Sequence, residues 1–382
     1  MASFDSPDNH GYQIISHELK RLLHKLKEPS TQYSAPTEQH VPITVYQLLK
    51  EGGPSNLVED LQRQLLETTR LSYGEKDLRS LWEKKRTADV YFARGLWRDA
   101  EILLRDTLQV CSEMQNTILH NSTKNSLALI LLEKGMVTEA EQLTILPSFK
   151  VPETEDEIIS LDILAAIHFR QARYGESLQE RSLLVRVSRE RFGRLDPKTL
   201  QENSVLALTS AEGRLQPESL KETSCEEMNT ANAFADFYGK RHPITLKQSS
   251  IVALIFMKLY MYTRSLEHLT KAITLAEGGA YSLREVLGPD HPYSLHAMHN
   301  LAVALAANNR EEEAEGISLR VTQGLTRALP IGHPMASASR ELSASLQNHT
   351  VRGGNALNLA FDWGGSAPWL TNSILSGSAF KP

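Results

Sequence analysis

The chain is poor in the residues that make covalent or metal cross-links. It holds 2 cysteines, Cys111 and Cys225, in 382 residues, too few for a cysteine metal site and with nothing in their spacing to argue a disulfide. That poverty suits a reducing compartment. Long apolar runs are missing too: the strongest, Ile251 to Met257, falls far short of the roughly 20 residues that span a bilayer. The start, Met1-Ala2-Ser3-Phe4-Asp5-Ser6, carries neither the basic opening nor the apolar stretch of a secretory leader, so a cytoplasmic location and no membrane contact are expected. Charge of one sign is absent, since 41 Lys and Arg stand against 46 Asp and Glu. The net −5 gives no pull toward nucleic acid. No glycine-rich phosphate loop ending in Lys-Ser/Thr, no G-x-S-x-G elbow and no H-E-x-x-H helix occurs. No catalytic residue, cofactor or metal ligand is therefore expected.

What is present is a repeat. Ala88, Ala128, Ala165, Ala207, Ala253 and Ala302 are each followed twelve residues later by a small residue: Ala100, Ala140, Ser177, Ser219, Ser265 and Ala314. Twelve residues carries the chain from mid-helix, round a tight turn, to the middle of an antiparallel neighbour. Small residues at both places let the backbones approach, because side chains at the contact set the helix separation. Six such pairs predict an array of helical hairpins, a fold that needs no single growing core. A second ladder lies between the units: Asp196-Pro197, His242-Pro243, His291-Pro292 and His333-Pro334. Proline in the first helical turn sacrifices no hydrogen bond and keeps the residue before it extended. Leu287 to Leu295 (LGPDHPYSL) thus reads as a helix stop joined to a helix start.

Three segments follow. Residues 1–76 read as a helical cap and linker, with a helical stripe over Tyr12–Lys27, a proline-bearing linker to Pro42, and helices near Thr44–Lys50 and Ser55–Leu71. Residues 77–348 hold the hairpins and a worn seventh unit at Ala344. Residues 349–382 form a tail with Phe361, Trp363, Trp369 and Phe380 in a glycine- and serine-rich setting. A tail with so many aromatics is unlike a disordered one. It can cap the last helices, enter the groove from within or bind a partner; capping is the expectation, because an open apolar end needs a cover.

The units of about 42 residues, the L-G-P-x-H-P-x-[ST]-L connector and the following Asn300-Leu301-Ala302 resemble the tetratricopeptide repeats of kinesin light chain, a repeat common in fungal proteins. The resemblance is close over Lys240 to Gly332 and recognisable from Asp77. It implies an all-α, right-handed solenoid of about six tetratricopeptide hairpins with a helical N-terminal cap. In such hairpins the first helix lines a concave groove. Counting from each small residue places Lys85, Asp89, Asn125, Asp162, Phe169, Arg170, Ser250, Met257, Lys258 and His299 on that face, with Leu129 and Leu254 between them. The kinesin asparagine ladder, two residues before each small one, reads here Arg86, Ser126, Ile163, Val205, Ile251 and Asn300, so one rung of the six is kept.

The expected function is non-catalytic: a protein-protein interaction scaffold that binds a peptide or protein segment in the groove, with apolar anchors for affinity and polar groups for register. The competing reading is an accessory or catalytic protein of a fungal biosynthetic pathway that holds a small molecule in a closed groove. Openness separates the two. His291, His296 and His299 are the nearest approach to a metal constellation, but the recurrence of His-Pro at three connectors accounts for His291 without a ligand.

Overall fold

The computed structural model describes residues 56–114, 116–144, 151–213, 217–330, 332–350, 356, 357, 359 and 360. The stripe at Tyr12–Lys27, the helix near Thr44–Lys50 and the aromatics of the tail lie outside these residues. Among the described residues there are fourteen helices and no strand. A single helix, α1 (Asn56–Tyr73), precedes the hairpins. The first hairpin is α2 (Leu78–Ala93) with α3 (Trp97–Met114), and the second is α4 (Thr117–Glu133) with the short α5 (Val137–Leu143). The third is α6 (Glu155–Arg170) with α7 (Tyr174–Phe192), and the fourth α8 (Pro197–Gly213) with α9 (Pro217–Tyr238). The fifth is α10 (Pro243–Thr263) with α11 (Leu266–Leu287), and the sixth α12 (Pro292–Ala307) with α13 (Glu311–Ala328). The worn seventh unit supplies one helix, α14 (Pro334–Gln347).

Caps fix where these helices begin. Asn116 accepts from the Leu119 amide. Thr154 and Glu157 form a reciprocal capping box that starts α6 three residues before the apolar pattern does. At His242, His291 and His333 the ring Nδ1 accepts the amide two residues on, with proline at the first turn.

In the first, second, third and sixth hairpins the small pairs sit where the helices touch, whereas Ala207 of the fourth is half-buried and the side chain of its partner Ser219 lies outside the described residues. Ala88 and Ala100, Ala128 and Ala140, and Ala302 and Ala314 are wholly buried. In the third hairpin Ser177 Oγ donates to the Ala165 carbonyl at 2.7 Å, so the pair is a hydrogen bond as well as a close contact. The fifth hairpin departs from the pattern. Helix α10 runs ten residues past Ala253 before Arg264 turns the chain in a left-handed conformation. Ser265 therefore becomes the half-buried N-cap of α11, and the fully buried small residues of that helix are Ala272 and Ala280. Helix α10 is also the one described helix long and apolar enough to cross a membrane, but it packs between α9 and α11 with most of its length buried, as a core helix does.

The two ends of the array meet. His291 Nε2 donates to the Ala93 carbonyl at 3.1 Å across 198 residues, and His333 Nε2 to the Glu133 carbonyl at 3.0 Å across 200. The connectors opening the sixth and seventh units thus rest on the turns of the first and second, five units back each time. Trp97 meets Tyr293 edge to face, ring centres 6.1 Å apart. The solenoid completes a turn on itself.

Candidate functional site

Closure decides the character of the inward face. Of the ten positions assigned to the groove, Lys85, Asp89, Asn125, Asp162, Phe169, Ser250, Met257 and His299 are buried, and Arg170 and Lys258 are half-buried. Neighbouring units spend most of their polar groups on one another. Lys85 Nζ lies 2.7 Å from Asp89 Oδ2, and Ser126 donates to the other Asp89 oxygen at 3.0 Å. Asn125 donates to the Asp156 carbonyl at 3.1 Å and accepts from Ser160 at 2.8 Å. Gln248 donates to Ser204 and to Glu227, and Lys258 pairs with Glu212. Lys85 and Asp89 share a helix and Gln248 reaches Glu227 in the second helix of the unit before; the other bonds join the first helix of one unit to that of the next, so these side chains act as rungs between units. Phe169 stands edge-on to Tyr174 at 5.5 Å within the packed interior, and Ser250 donates to the Leu246 carbonyl of its own helix at 3.2 Å.

Charge gathers deeper in. Arg181, almost wholly buried, pairs with Asp162, donates to the Asp162 carbonyl at 3.2 Å and reaches Glu202 at 3.6 Å. Burial, with Asp162 beside it, raises the Glu202 carboxyl to about 8, and burial raises Glu227 to about 7. Burial also pushes the Lys247 ammonium down to about 8, against the pull of Glu133 and Asp162. Lys247 lies 5.5 Å from the centre of the Tyr293 ring. Lys247, Arg181 and Glu202 fall outside the positions that counting from the small residues picks out. Residues one repeat apart on adjacent helices were the available signal for the rungs; nothing local signalled the contacts across the turn.

The histidines do not converge on a common point. His291 Nε2 points to the first unit, whereas His299 Nε2 donates to the Leu359 carbonyl at 2.7 Å. Among the described residues no three His, Cys, Asp or Glu side chains are grouped to hold a metal ion. Burial holds His291, His299 and His333 neutral, with pKa values lowered to about 4.

The tail enters the same face. Ala356 and Leu357 are buried in the main core, Leu359 and Ala360 pack on it, and the Ala360 amide donates to the Leu357 carbonyl at 3.1 Å. Where a second helix would complete the seventh unit, these described tail residues lie against α12 instead.

Residues 294–334, from α12 to the start of α14, match the family described as tetratricopeptide repeat. That match covers the sixth hairpin and the connector after it, and the other hairpins repeat the same helix-turn-helix arrangement. Among solved structures the chain is similar to a Podosopora anserina protein described as kinesin light chain with nearly identical TPR-like repeats, at 20% identity, over 55% of this chain and 93% of that one, with a TM-score of 0.40. No curated protein matches.

Proposed function

We propose that the chain is a non-catalytic interaction scaffold of the cytoplasm, and that its inward-facing helices receive a peptide segment of a protein partner. One observation carries this reading. Helix α12 and the core beside it already hold residues 356, 357, 359 and 360 of the chain itself, through apolar burial and one bond from a side chain to a backbone carbonyl. A wall that accepts peptide from its own chain has the chemistry to accept it from another. Arg170 and Lys258 are the half-buried charges of that wall and the natural points for fixing register.

The test is a partner recovered with the full chain from its native source. Arg170→Ala and Lys258→Ala should each weaken that partner's binding about tenfold, the loss of roughly 1.4 kcal/mol expected for an interfacial charged contact. Unchanged affinity in both folded variants contradicts groove binding. Phe169→Ala is a poorer probe, since the ring is part of the packing. The second reading, a small molecule held in a closed groove, is favoured by the burial of the wall and by the gathering of Lys247, Arg181, Asp162 and Glu202 inside it. Native mass spectrometry of the purified chain separates the two, because a retained small molecule adds a fixed mass.

A further inference from the structure

Helix α1 carries the burial pattern of a hairpin's second helix. Its buried positions are Val58, Leu61, Gln62, Leu65 and Thr69. Each stands forty-two residues before an inward position of α3: Ala100, Leu103, Leu104, Thr107 and Cys111. Helix α1 also packs on α2 as α3 packs on α4. The same offset puts Gly53 at the place of Gly95. In the first two hairpins the turn glycine lies five residues before the buried contact residue, Ala100 or Ala140, and Gly53 lies five before the wholly buried Val58.

Connectors and turns pair at a fixed distance. His291-Pro292 and His333-Pro334 rest on the turns that hold Gly95 and Gly135, five units earlier each time. The remaining His-Pro connector, His242-Pro243, opens the fifth unit, and five units before it comes the unit that α1 would complete. His242 is built like the other two: it is buried, and its Nδ1 accepts the amide two residues on at 3.3 Å, with the ring stacked on Tyr238. The fourth connector has Asp196 instead, whose carboxylate accepts the Lys198 amide at 2.9 Å and has no N–H to offer a carbonyl. The third hairpin in turn has Ala172 in the left-handed conformation where the first two have glycine. Connector histidines begin with the fifth unit, and turn glycines stop after the second.

We propose that His242-Pro243 is a docking site for the turn of this chain at Gly52-Gly53. His242 Nε2 donates to a backbone carbonyl just before that turn, and Gly53, having no Cβ, leaves room for the ring and for Pro243. Residues 44–73 are then a further hairpin, and the array closes over three units instead of two. The contact lies at the edge of the array and does not depend on groove binding.

The experiment uses the full chain with isotope-labelled glycine and histidine and reads nuclear Overhauser contacts. The His291 ring should contact the α-protons of Gly95, since a Cβ there would lie 3.1 Å from that ring. The His242 ring should contact those of Gly53 in the same way. Lack of the His242 contact, with or without the other, overturns the inference. A second arm uses melting temperature. Gly53→Val should lower it, and in a chain carrying His242→Ala and Pro243→Ala the further fall should shrink to about half or less, because the groups it would meet are gone. Equal falls in the two chains overturn the inference. The Overhauser measurement needs no variant, so it decides the matter even where a variant fails to fold.

Discussion

At the residue scale the turns show how a distant contact dictates a local choice. Gly95 and Gly135 turn the first and second hairpins with φ of +77° and +78°. Ala172, Arg264 and Asn309 hold the left-handed conformation at the turns of the third, fifth and sixth, so that conformation alone does not demand glycine here. A Cβ built on Gly95 would lie 2.6 Å from Pro292 Cδ and 3.1 Å from the His291 ring, and one on Gly135 would lie 3.2 Å from His333. Gly95 and Gly135 are glycines because the His-Pro connectors of later units rest on them. Gly95→Ala should therefore combine the left-handed penalty of about 1–2 kcal/mol with displacement of the connector, and destabilise by more than about 2 kcal/mol in denaturant unfolding. Ala172→Gly relieves the same penalty at a turn with no such contact and should be neutral or stabilising by up to about 1 kcal/mol. A Gly95→Ala midpoint equal to wild type would mean that the connector does not rest there. The first and second turns follow from the twelve-residue spacing of Ala88 with Ala100 and of Ala128 with Ala140, and each of those turns holds a glycine. The reason for the glycines, some 200 residues away, was not legible, because no local pattern encodes a contact across a superhelical turn.

At the element scale the hairpins were legible almost completely, since small residues twelve apart and prolines at helix starts act locally. Deviations occur where a helix outruns the pattern. Helix α10 carries Leu254, Ile255, Phe256 and Met257 into the core and continues to Thr263, which shifts the fifth turn and moves Ser265 from the predicted contact to a cap. Helix α11 likewise runs on to Leu287 because Ala276, Ala280 and Leu283 keep one face buried. The counted positions were half legible: eight of the ten are buried, but the count could not show which neighbouring units their polar groups would bond. Where the pattern holds, the contact tolerates no extra volume. Ala302→Leu, opposite Ala314 in the sixth hairpin, should overpack the pair and lower stability by about 1–3 kcal/mol, read as a fall in melting temperature. An unaltered melting temperature would place Ala302 away from the helix contact.

At the scale of the whole molecule, closure is an electrostatic commitment. His291, His299 and His333 titrate near about 4 when folded, below the ordinary value of about 6.5. Between those values the unfolded chain binds more protons at these sites, so the stability they contribute is present above about pH 6.5 and is lost as pH falls toward 4. Glu202 and Glu227 act in the opposite sense. Their carboxyls are raised to about 8 and about 7, so their contribution is present below the ordinary carboxylate range and is lost as pH rises through those values. Melting temperature should therefore pass through a maximum near pH 6–7 and fall on both sides. His333→Asn keeps an N-cap acceptor but cannot reach Glu133, and it should flatten the acid limb; an acid limb as steep as that of wild type would argue against a histidine contribution. The most direct test of closure is to follow the imidazole nitrogens of His291 and His333 by NMR through a pH titration. Each ring lies between the amide it caps and a carbonyl of a unit five earlier. Both should be neutral Nε2–H tautomers that remain neutral through pH 5 and protonate near pH 4. Titration of both near 6.5, as solvated histidines at the ends of an open array would show, would contradict the closed solenoid.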